Sequence, residues 1–265
     1  MGAKRRIWVQ RVLVFLLSVA GFFIVCSLPL PFLLKAFVVL IGVAVGGYIA
    51  FLRIPAFDPF FRVRWRLPKN SQGKKWCAIT FDDGPSPSTP KILDILKEEG
   101  VRATFFMVGN NALRYPDIAR RVQKEGHVVG LHGLEHKKLH NADAGEVERQ
   151  ISGCIEALRS IGIEPCKIYR SPHGFKSRAL FRVAKKHGLK VWAWSRGIWD
   201  TDRPPPDVLV RRATRLARSG MVLLVHDGHR ENLDPDISSL VVALPAIIKE
   251  LKSRGFLFVT LDAFS

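Results

Sequence analysis

Residues 76–265 repeat one unit, in which a short apolar run is followed by a helical pattern and then by a glycine. This repetition constrains the fold more than any other feature of the chain. Between most of the apolar runs, apolar residues three and four positions apart predict helices over 90–99, 117–125, 145–161, 177–187, 206–219 and 237–253. The seven short runs, which have strand-like composition, are Trp76–Phe81, Ala103–Val108, His127–Leu131, Lys167–Tyr169, Lys190–Trp194, Met221–Val225 and Phe256–Leu261.

Glycine closes each predicted helix, because it adopts the left-handed conformation that ends helices at little cost. These glycines are Gly100, Gly126, Gly162, Gly188, Gly220 and Gly255. Alternating strands and helices predict a parallel sheet, and runs that are apolar throughout are typical of strands buried on both faces. Seven units favour a barrel, complete or incomplete, over an open sheet. The predicted fold is therefore α/β, with a distorted (β/α)7-type barrel.

Composition and charge exclude several classes of protein. With 48% hydrophobic and 24% charged residues, the 265-residue chain is not disordered, collagen-like or disulfide-framed. No CxxC pair occurs among Cys26, Cys77, Cys154 and Cys166, so free thiols are expected. The net charge of +18 is concentrated in residues 1–75, which hold twelve lysines or arginines and one acid. Because this basic excess lies beside apolar runs, anionic lipid is the expected partner and nucleic acid is not.

The N-terminal segment predicts a membrane anchor over residues 1–53. Two uncharged runs, 12–28 and 36–52, are separated by a short link that contains Pro29 and Pro31, which favours a hairpin of two short transmembrane or re-entrant helices. Basic residues flank the outer ends, so both ends are expected in the cytoplasm. Residues 54–75 mix arginines with aromatic residues and are interpreted as an interfacial linker. A cleaved signal peptide, or a single anchor with an external domain, are the alternatives.

Polar side chains of chemical interest follow the predicted strands at the point where each strand ends. In a parallel barrel these ends form one face, and that face carries the active site. The residues therefore converge although they are far apart in sequence. They are Asp82 and Asp83, His132 and His136, Arg170 and His173, Asp200, and His226.

Two histidines four positions apart can turn their rings towards one point. Alone, His132 and His136 would be interpreted as surface residues, but Asp83 would complete a set of three ligands with open positions, as in catalytic metal sites. Zinc is the expected ion, with cobalt, nickel and manganese as alternatives. Asp82 could then act as general base, with Arg170 orienting it, and His226 as general acid in a metal-assisted hydrolysis.

Other hydrolase and nucleotide-binding motifs are missing from the sequence. Gly133 follows the first histidine, where the HExxH metalloproteases have glutamate. Neither a GxSxG elbow nor a GxxxxGK[ST] loop occurs, so a serine hydrolase and a P-loop enzyme have no support.

Five motifs occur in a characteristic order: Thr80-Phe-Asp-Asp-Gly84, His132-xxx-His136, Arg170-Ser-Pro-His-Gly174, Trp194 to Asp200, and Leu224-Val-His226. Over about residues 76–265 the chain resembles the polysaccharide deacetylases, the NodB-homology domains of carbohydrate esterase family 4. The resemblance implies that 76–265 form a distorted barrel that removes N-acetyl groups from amino sugars with a divalent metal.

The resemblance also implies roles by motif. Asp82 resembles the general base, Arg170 the residue that holds it, and His226 the acid that Asp200 tunes. The metal ligands would be Asp83, His132 and His136. Oxyanion and substrate contacts are expected from His173, Gly174, Leu224 and Trp199.

Three residues depart from the family pattern. Gly133 stands where Ser or Thr is usual, His173 where an aromatic residue is usual, and Thr201 where Trp is usual. These changes alter the wall of the pocket, and they therefore affect which substrate the site accepts.

The expected function is therefore N-deacetylation of an amino sugar close to the membrane or linked to a polyprenyl carrier, by a multi-pass membrane protein whose catalytic domain faces the cytoplasm. An external deacetylase of a cell-wall or surface polysaccharide, and a sugar-binding barrel without turnover, are the alternatives.

Overall fold

The structure is a computed structural model that describes residues 27, 31–53, 63–68, 73–228 and 236–264. The chain divides into two compact units, Met1–Phe57 and Asp58–Ser265. In the first unit, helix α1 spans Phe32–Arg53 and contains the second apolar run, whereas the first run lies outside the described residues except for Ser27. Among the described residues, no helix has both the length and the apolar character needed to cross a bilayer. The predicted membrane hairpin is therefore not supported.

In the described residues the second unit is built on eight strands, and every pairing between them is parallel, as predicted. The long strand β1 lies at the centre, with β7 on one side; β2 pairs with its end and β8 with its beginning. The strands are β1 Lys75–Asp82, β2 Thr104–Met107, β3 Val128–Leu131, β4 Ile168–Tyr169, β5 Lys190–Val191, β6 Arg196–Gly197, β7 Met221–His226 and β8 Phe256–Phe258.

The sheet curls but does not close in the part of the chain that the structure describes. The strand order is β5-β4-β3-β2-β1-β7-β6, and no pairing joins β5 to β6 across the opening. This curled half-barrel agrees with the predicted distorted barrel, for which an incomplete form was one expectation, and it has one strand more than the seven predicted. The additional strand, β6, is only Arg196–Gly197, and two such residues carry no apolar signal in the sequence.

The part of the second unit that the structure describes has seven α-helices, which pack against the sheet. All six glycines that were expected to close helices have positive φ, from 60° at Gly100 to 83° at Gly220, which confirms the predicted stop signal. Helix α3 was not predicted, and α7 ends at Thr214 rather than 219. The helices are α2 Thr89–Glu98, α3 Gly109–Arg114, α4 Pro116–Lys124, α5 Ala144–Ser160, α6 Arg178–Lys186, α7 Pro206–Thr214 and α8 Ser238–Ser253.

The alternation of side chains along β1 separates two layers. Cys77, Ile79 and Phe81 pack into the large cluster between sheet and helices. Ala78 belongs to the smaller cluster inside the half-barrel, so Thr80 and Asp82, two and four residues further on, have the same inward direction. This alternation carries the polar residues of β1 to the inner face.

Residues 63–68, which lie within the predicted linker 54–75, belong to the second unit. Arg64 forms a parallel bridge with Trp192, and its carbonyl accepts a hydrogen bond from the N–H of Ala193 at 2.7 Å. Leu67 is buried in the inner cluster, and its N–H donates to the carbonyl of Gly220 at 2.9 Å. The aromatic residues of the predicted linker that precede residue 63, which are Phe57, Phe60 and Phe61, lie outside the described residues.

Candidate active site

The predicted site residues meet at the carboxyl end of the sheet. Strand β1 ends at Asp82, which stands in register with His226 at the end of the neighbouring β7. The loops after β3 and β4 begin with His132 and Arg170, both almost fully buried. Parallel strands end at one edge, and this places residues that are far apart in sequence around one pocket.

Asp83, His132 and His136 form a compact group whose ligand atoms all lie within 4.8 Å of one another. The Oδ1 atom of Asp83 is 3.2 Å from Nε2 of His132 and 2.9 Å from Nε2 of His136. Burial by itself raises the pKa of Asp83, but the hydrogen bonds and charges that the two histidines supply when they are doubly protonated outweigh it and hold the pKa well below its usual range. The group therefore offers one carboxylate and two imidazoles to a common point.

The backbone fixes the direction of these ligands. Nδ1 of His132 lies 2.8 Å from the carbonyl oxygen of Arg170, and because a carbonyl only accepts, Nδ1 carries the proton. Nε2 is then left as the ligand atom, the arrangement usual for metal-bound histidine. Asp83 and His136 both have left-handed backbone, with φ of 72° and 55°. Such conformations cost energy in non-glycine residues and cluster at functional sites.

A buried ion pair fixes the second aspartate. Nη1 of Arg170 donates to Oδ1 of Asp82 and to Oγ1 of Thr80, both at 2.7 Å, and Nη2 donates to the carbonyl of Ala193 at 2.9 Å. The guanidinium also lies over the ring of Phe106, 4.1 Å from its centroid. Because three partners hold Arg170, Asp82 has a fixed orientation and a compensating charge in the low-dielectric interior.

His226 is held by Asp200. Nδ1 of His226 lies 3.1 Å from Oδ1 of Asp200, and its backbone N–H donates to Oδ2 at 2.8 Å. Burial lowers the pKa of His226, but the charge and hydrogen bond of Asp200, with the charges of Asp83 and Asp82, raise it to about 10. The imidazole is therefore protonated at neutral pH and can donate a proton.

Comparison with known proteins places this site in a family. Residues 69–192 match the family model described as polysaccharide deacetylase. A peptidoglycan-N-acetylglucosamine deacetylase of Bacillus cereus is 36% identical over 208 residues, which cover 77% of this chain and 93% of the relative. A chitooligosaccharide deacetylase of Azorhizobium caulinodans is 35% identical over 198 residues, which cover 70% of this chain and 92% of the relative.

The chain belongs to the polysaccharide deacetylase family.

The same class is found among solved structures. The Bc1960 peptidoglycan N-acetylglucosamine deacetylase superimposes with a TM-score of 0.69 at 33% identity, over 77% of this chain and 92% of that one. The predicted resemblance and the enzyme class, carbohydrate N-deacetylase, are therefore confirmed.

The remaining predicted residues of this deacetylase line the pocket in different ways. The side chain of Leu224 has the same inward direction as His226, two residues further along β7. The ring of His173 lies 4.7 Å from that of His136 between centroids. The N–H of Gly174 donates to the carbonyl of Ser171 at 2.9 Å, and a Cβ on Gly174 would lie 2.8 Å from the Trp194 ring. Gly174 therefore shapes the wall.

Trp199 differs from these residues because it is exposed. More than half of its surface, 55%, is open to solvent, and its backbone is left-handed. It directly precedes Asp200, so an exposed indole lies next in sequence to the residue that holds His226.

Sequence reasoning missed Asp227, which directly follows His226. Its buried Oδ2 accepts a hydrogen bond from Oγ1 of Thr89 at 2.7 Å, and its carbonyl accepts one from Oγ of Ser86 at 2.5 Å. A Cβ on Gly84 would lie 2.1 Å from Oδ2 of Asp227. Asp227 thus ties the loop after β1 to the end of β7. The sequence feature that could have identified Asp227 is its position directly after His226.

Proposed function

We propose that this chain hydrolyses the N-acetyl group of N-acetylglucosamine residues in a glycan, with a divalent metal held by Asp83, His132 and His136. The observation that carries the proposal is the meeting of three groups at one edge of the sheet. These are the Asp–His–His cluster, the Asp82–Arg170 pair and the His226–Asp200 pair. The names of the relatives, which describe deacetylases of peptidoglycan and chitooligosaccharides, support this substrate class.

The three ligands suit a divalent ion on their own chemistry. A carboxylate and two neutral imidazoles match sites for zinc and neighbouring transition metals, and three protein ligands leave positions open for water and substrate. Tetrahedral coordination with bonds of about 2.1 Å would place neighbouring ligand atoms roughly 3.4 Å apart, and the separations around Oδ1 of Asp83, 3.2 and 2.9 Å, are close to this value. When bound, the ion supplies Lewis acidity that polarises the amide carbonyl and acidifies a water molecule.

The chain's own residues then divide the proton transfers. Asp82 accepts the proton of the attacking water, and Arg170 holds its carboxylate in the orientation that does so. His226, protonated because of Asp200, donates a proton to the departing amine. Separate acid and base are needed because an amide nitrogen leaves only once it is protonated.

The walls of the pocket position the sugar. The backbone N–H of His173 is the proposed oxyanion donor, since the N–H of Gly174 is used within the loop. The exposed indole of Trp199, which directly precedes Asp200 in sequence, offers an apolar face to a sugar ring.

An assay of acetate release tests the proposal. The full chain is incubated with N-acetylglucosamine oligosaccharides before and after dialysis against a chelator, and then after addition of zinc, cobalt, nickel or manganese in turn. Acetate should be released, lost on chelation and restored by one or more ions. Release that survives complete removal of metal would contradict the metal dependence, and no release in any state would contradict the activity.

The location and the carrier of the glycan form a narrower proposal that rests on the sequence. Basic residues flank the apolar runs, which supports a catalytic unit on the cytoplasmic side of the membrane, where a polyprenyl-linked amino sugar would be within reach. Reporter fusions after Leu52 and at Ser265 test it. An external signal at Ser265 would favour a polymeric substrate outside the cell.

A further inference from the structure

A cavity of about 420 Å³ lies between the edge strand β6 and helix α7, outside the pocket described above. Four arginines line it, Arg196, Arg211, Arg212 and Arg215, together with Trp199. We propose that this cavity binds a phosphate group carried by the glycan substrate, so that the deacetylase acts on a phosphorylated amino sugar. This inference rests on the proposed function and specifies its substrate class.

The charges of the cavity are largely uncompensated. Among the described residues that line it there is no Asp or Glu, and within the same part of the chain only Arg211 of the four arginines has a carboxylate partner, the exposed Asp207. Arg196, Arg212 and Arg215 form no ion pair within the part of the chain that the structure describes. Several positive groups around one space without a carboxylate are complementary to a multiply charged anion.

Two of the guanidinium groups are already oriented by the backbone. Nη1 of Arg212 donates to the carbonyl of Ile198 at 2.8 Å, and Nη2 of Arg196 donates to the carbonyl of Leu216 at 3.1 Å. The buried Nε of Arg196 has no hydrogen-bond partner among the described residues. These bonds restrict the side chains without neutralising them, which lowers the entropic cost of binding.

Positive charge around Arg196 extends beyond the arginines that line the cavity. Burial lowers the pKa of Arg196, and the charges of Arg66 and Arg218 lower it further. A bound anion would relieve this repulsion. Phosphate suits the site because guanidinium groups bind its oxygens in pairs of parallel hydrogen bonds.

Along the chain, Trp199 lies directly beside a residue of the active site. The indole lines the cavity, and the next residue, Asp200, holds His226. Gly197 of β6 stands in register with Leu224, two residues before His226 on β7. A sugar ring against Trp199 would thus have its phosphate among the arginines and its neighbouring residue towards the catalytic pocket.

The test compares two ligands on the full chain: a neutral N-acetylglucosamine oligosaccharide and the same oligosaccharide with a phosphate on its reducing end. Dissociation constants from calorimetry and kcat/KM from acetate release are measured for the wild type and for a double variant, Arg212→Gln with Arg215→Gln. The control is Arg182→Gln, an exposed arginine on α6 near the opposite edge of the sheet. Inorganic pyrophosphate and phosphatidylglycerol vesicles are titrated separately.

The wild type and the control should prefer the phosphorylated sugar at least tenfold in dissociation constant, and the double variant should lose most of that preference. Pyrophosphate should bind the wild type and bind the double variant more weakly. Equal affinity of the wild type for both sugars would overturn the inference. Vesicle binding through the same arginines without a preference for the phosphorylated sugar would overturn it too, since the ligand would then be lipid. Absence of acetate release contradicts the proposed function alone, because the titrations still decide whether the cavity binds phosphate.

Discussion

Replacement of Asp200 by asparagine should shift the upper limit of the pH range in which the enzyme is active. His226 must be protonated to donate to the leaving amine, so the rate falls as pH rises through the pKa of His226. Asp200 is the main partner that raises that pKa, to about 10. Asparagine keeps the shape and one accepting oxygen but removes the negative charge.

The size of the shift follows from the hydrogen bond that changes. A bond to a charged group stabilises by about 1.5–3 kcal/mol, and one pKa unit corresponds to about 1.36 kcal/mol. The descending limb of kcat/KM should therefore move to lower pH by about one to two units. The measurement is a profile of kcat/KM against pH for acetate release, at constant ionic strength.

The control is Asp202→Asn, because Asp202 is exposed in the same short turn as Asp200. Its profile should match that of the wild type, which separates a local charge effect from a disturbance of the turn. A descending limb at the same pH in Asp200→Asn and in the wild type would refute the pairing of Asp200 with the catalytic acid.

Four further substitutions test other parts of the site. Asp82→Asn should lower kcat by about 10²–10⁴-fold, the usual contribution of a general base, while its metal content stays unchanged. Asp83→Asn should lose both activity and bound metal, and elemental analysis measures the metal content of each variant. Arg170→Gln should destabilise the fold by about 3–5 kcal/mol, because it leaves a buried carboxylate without its partner, and denaturant unfolding measures this loss. Gly228→Ala should destabilise the fold by about 1–3 kcal/mol or more, because its Cβ would lie 2.3 Å from the carbonyl oxygen of Asp83. Wild-type stability of Arg170→Gln or of Gly228→Ala would contradict the packing described here.

Much of the fold was predictable because its signals are local. The alternation of apolar runs with helical patterns depends on residues within a few positions of one another, and so does the glycine that ends each helix. All six of those glycines adopt the expected positive φ. The N-terminal prediction was less successful: residues 63–68 pair with the sheet through Arg64, a contact with residues more than a hundred positions away. Composition showed only that this segment is basic and aromatic.

The sequence by itself determined which residue types stand at the strand ends, and the family resemblance extended this to their roles. Only the tertiary structure decided how they are connected. Asp82 is the partner of Arg170 and Asp83 that of the two histidines, although the aspartates are neighbours in sequence. The opening of the sheet between β5 and β6, the support that Asp227 gives to the loop after β1, and the arginine-lined cavity beside Trp199 were not predicted. The physical reason is that a side chain's partner, burial and pKa depend on groups that the fold brings close in space, and these groups are distant along the chain.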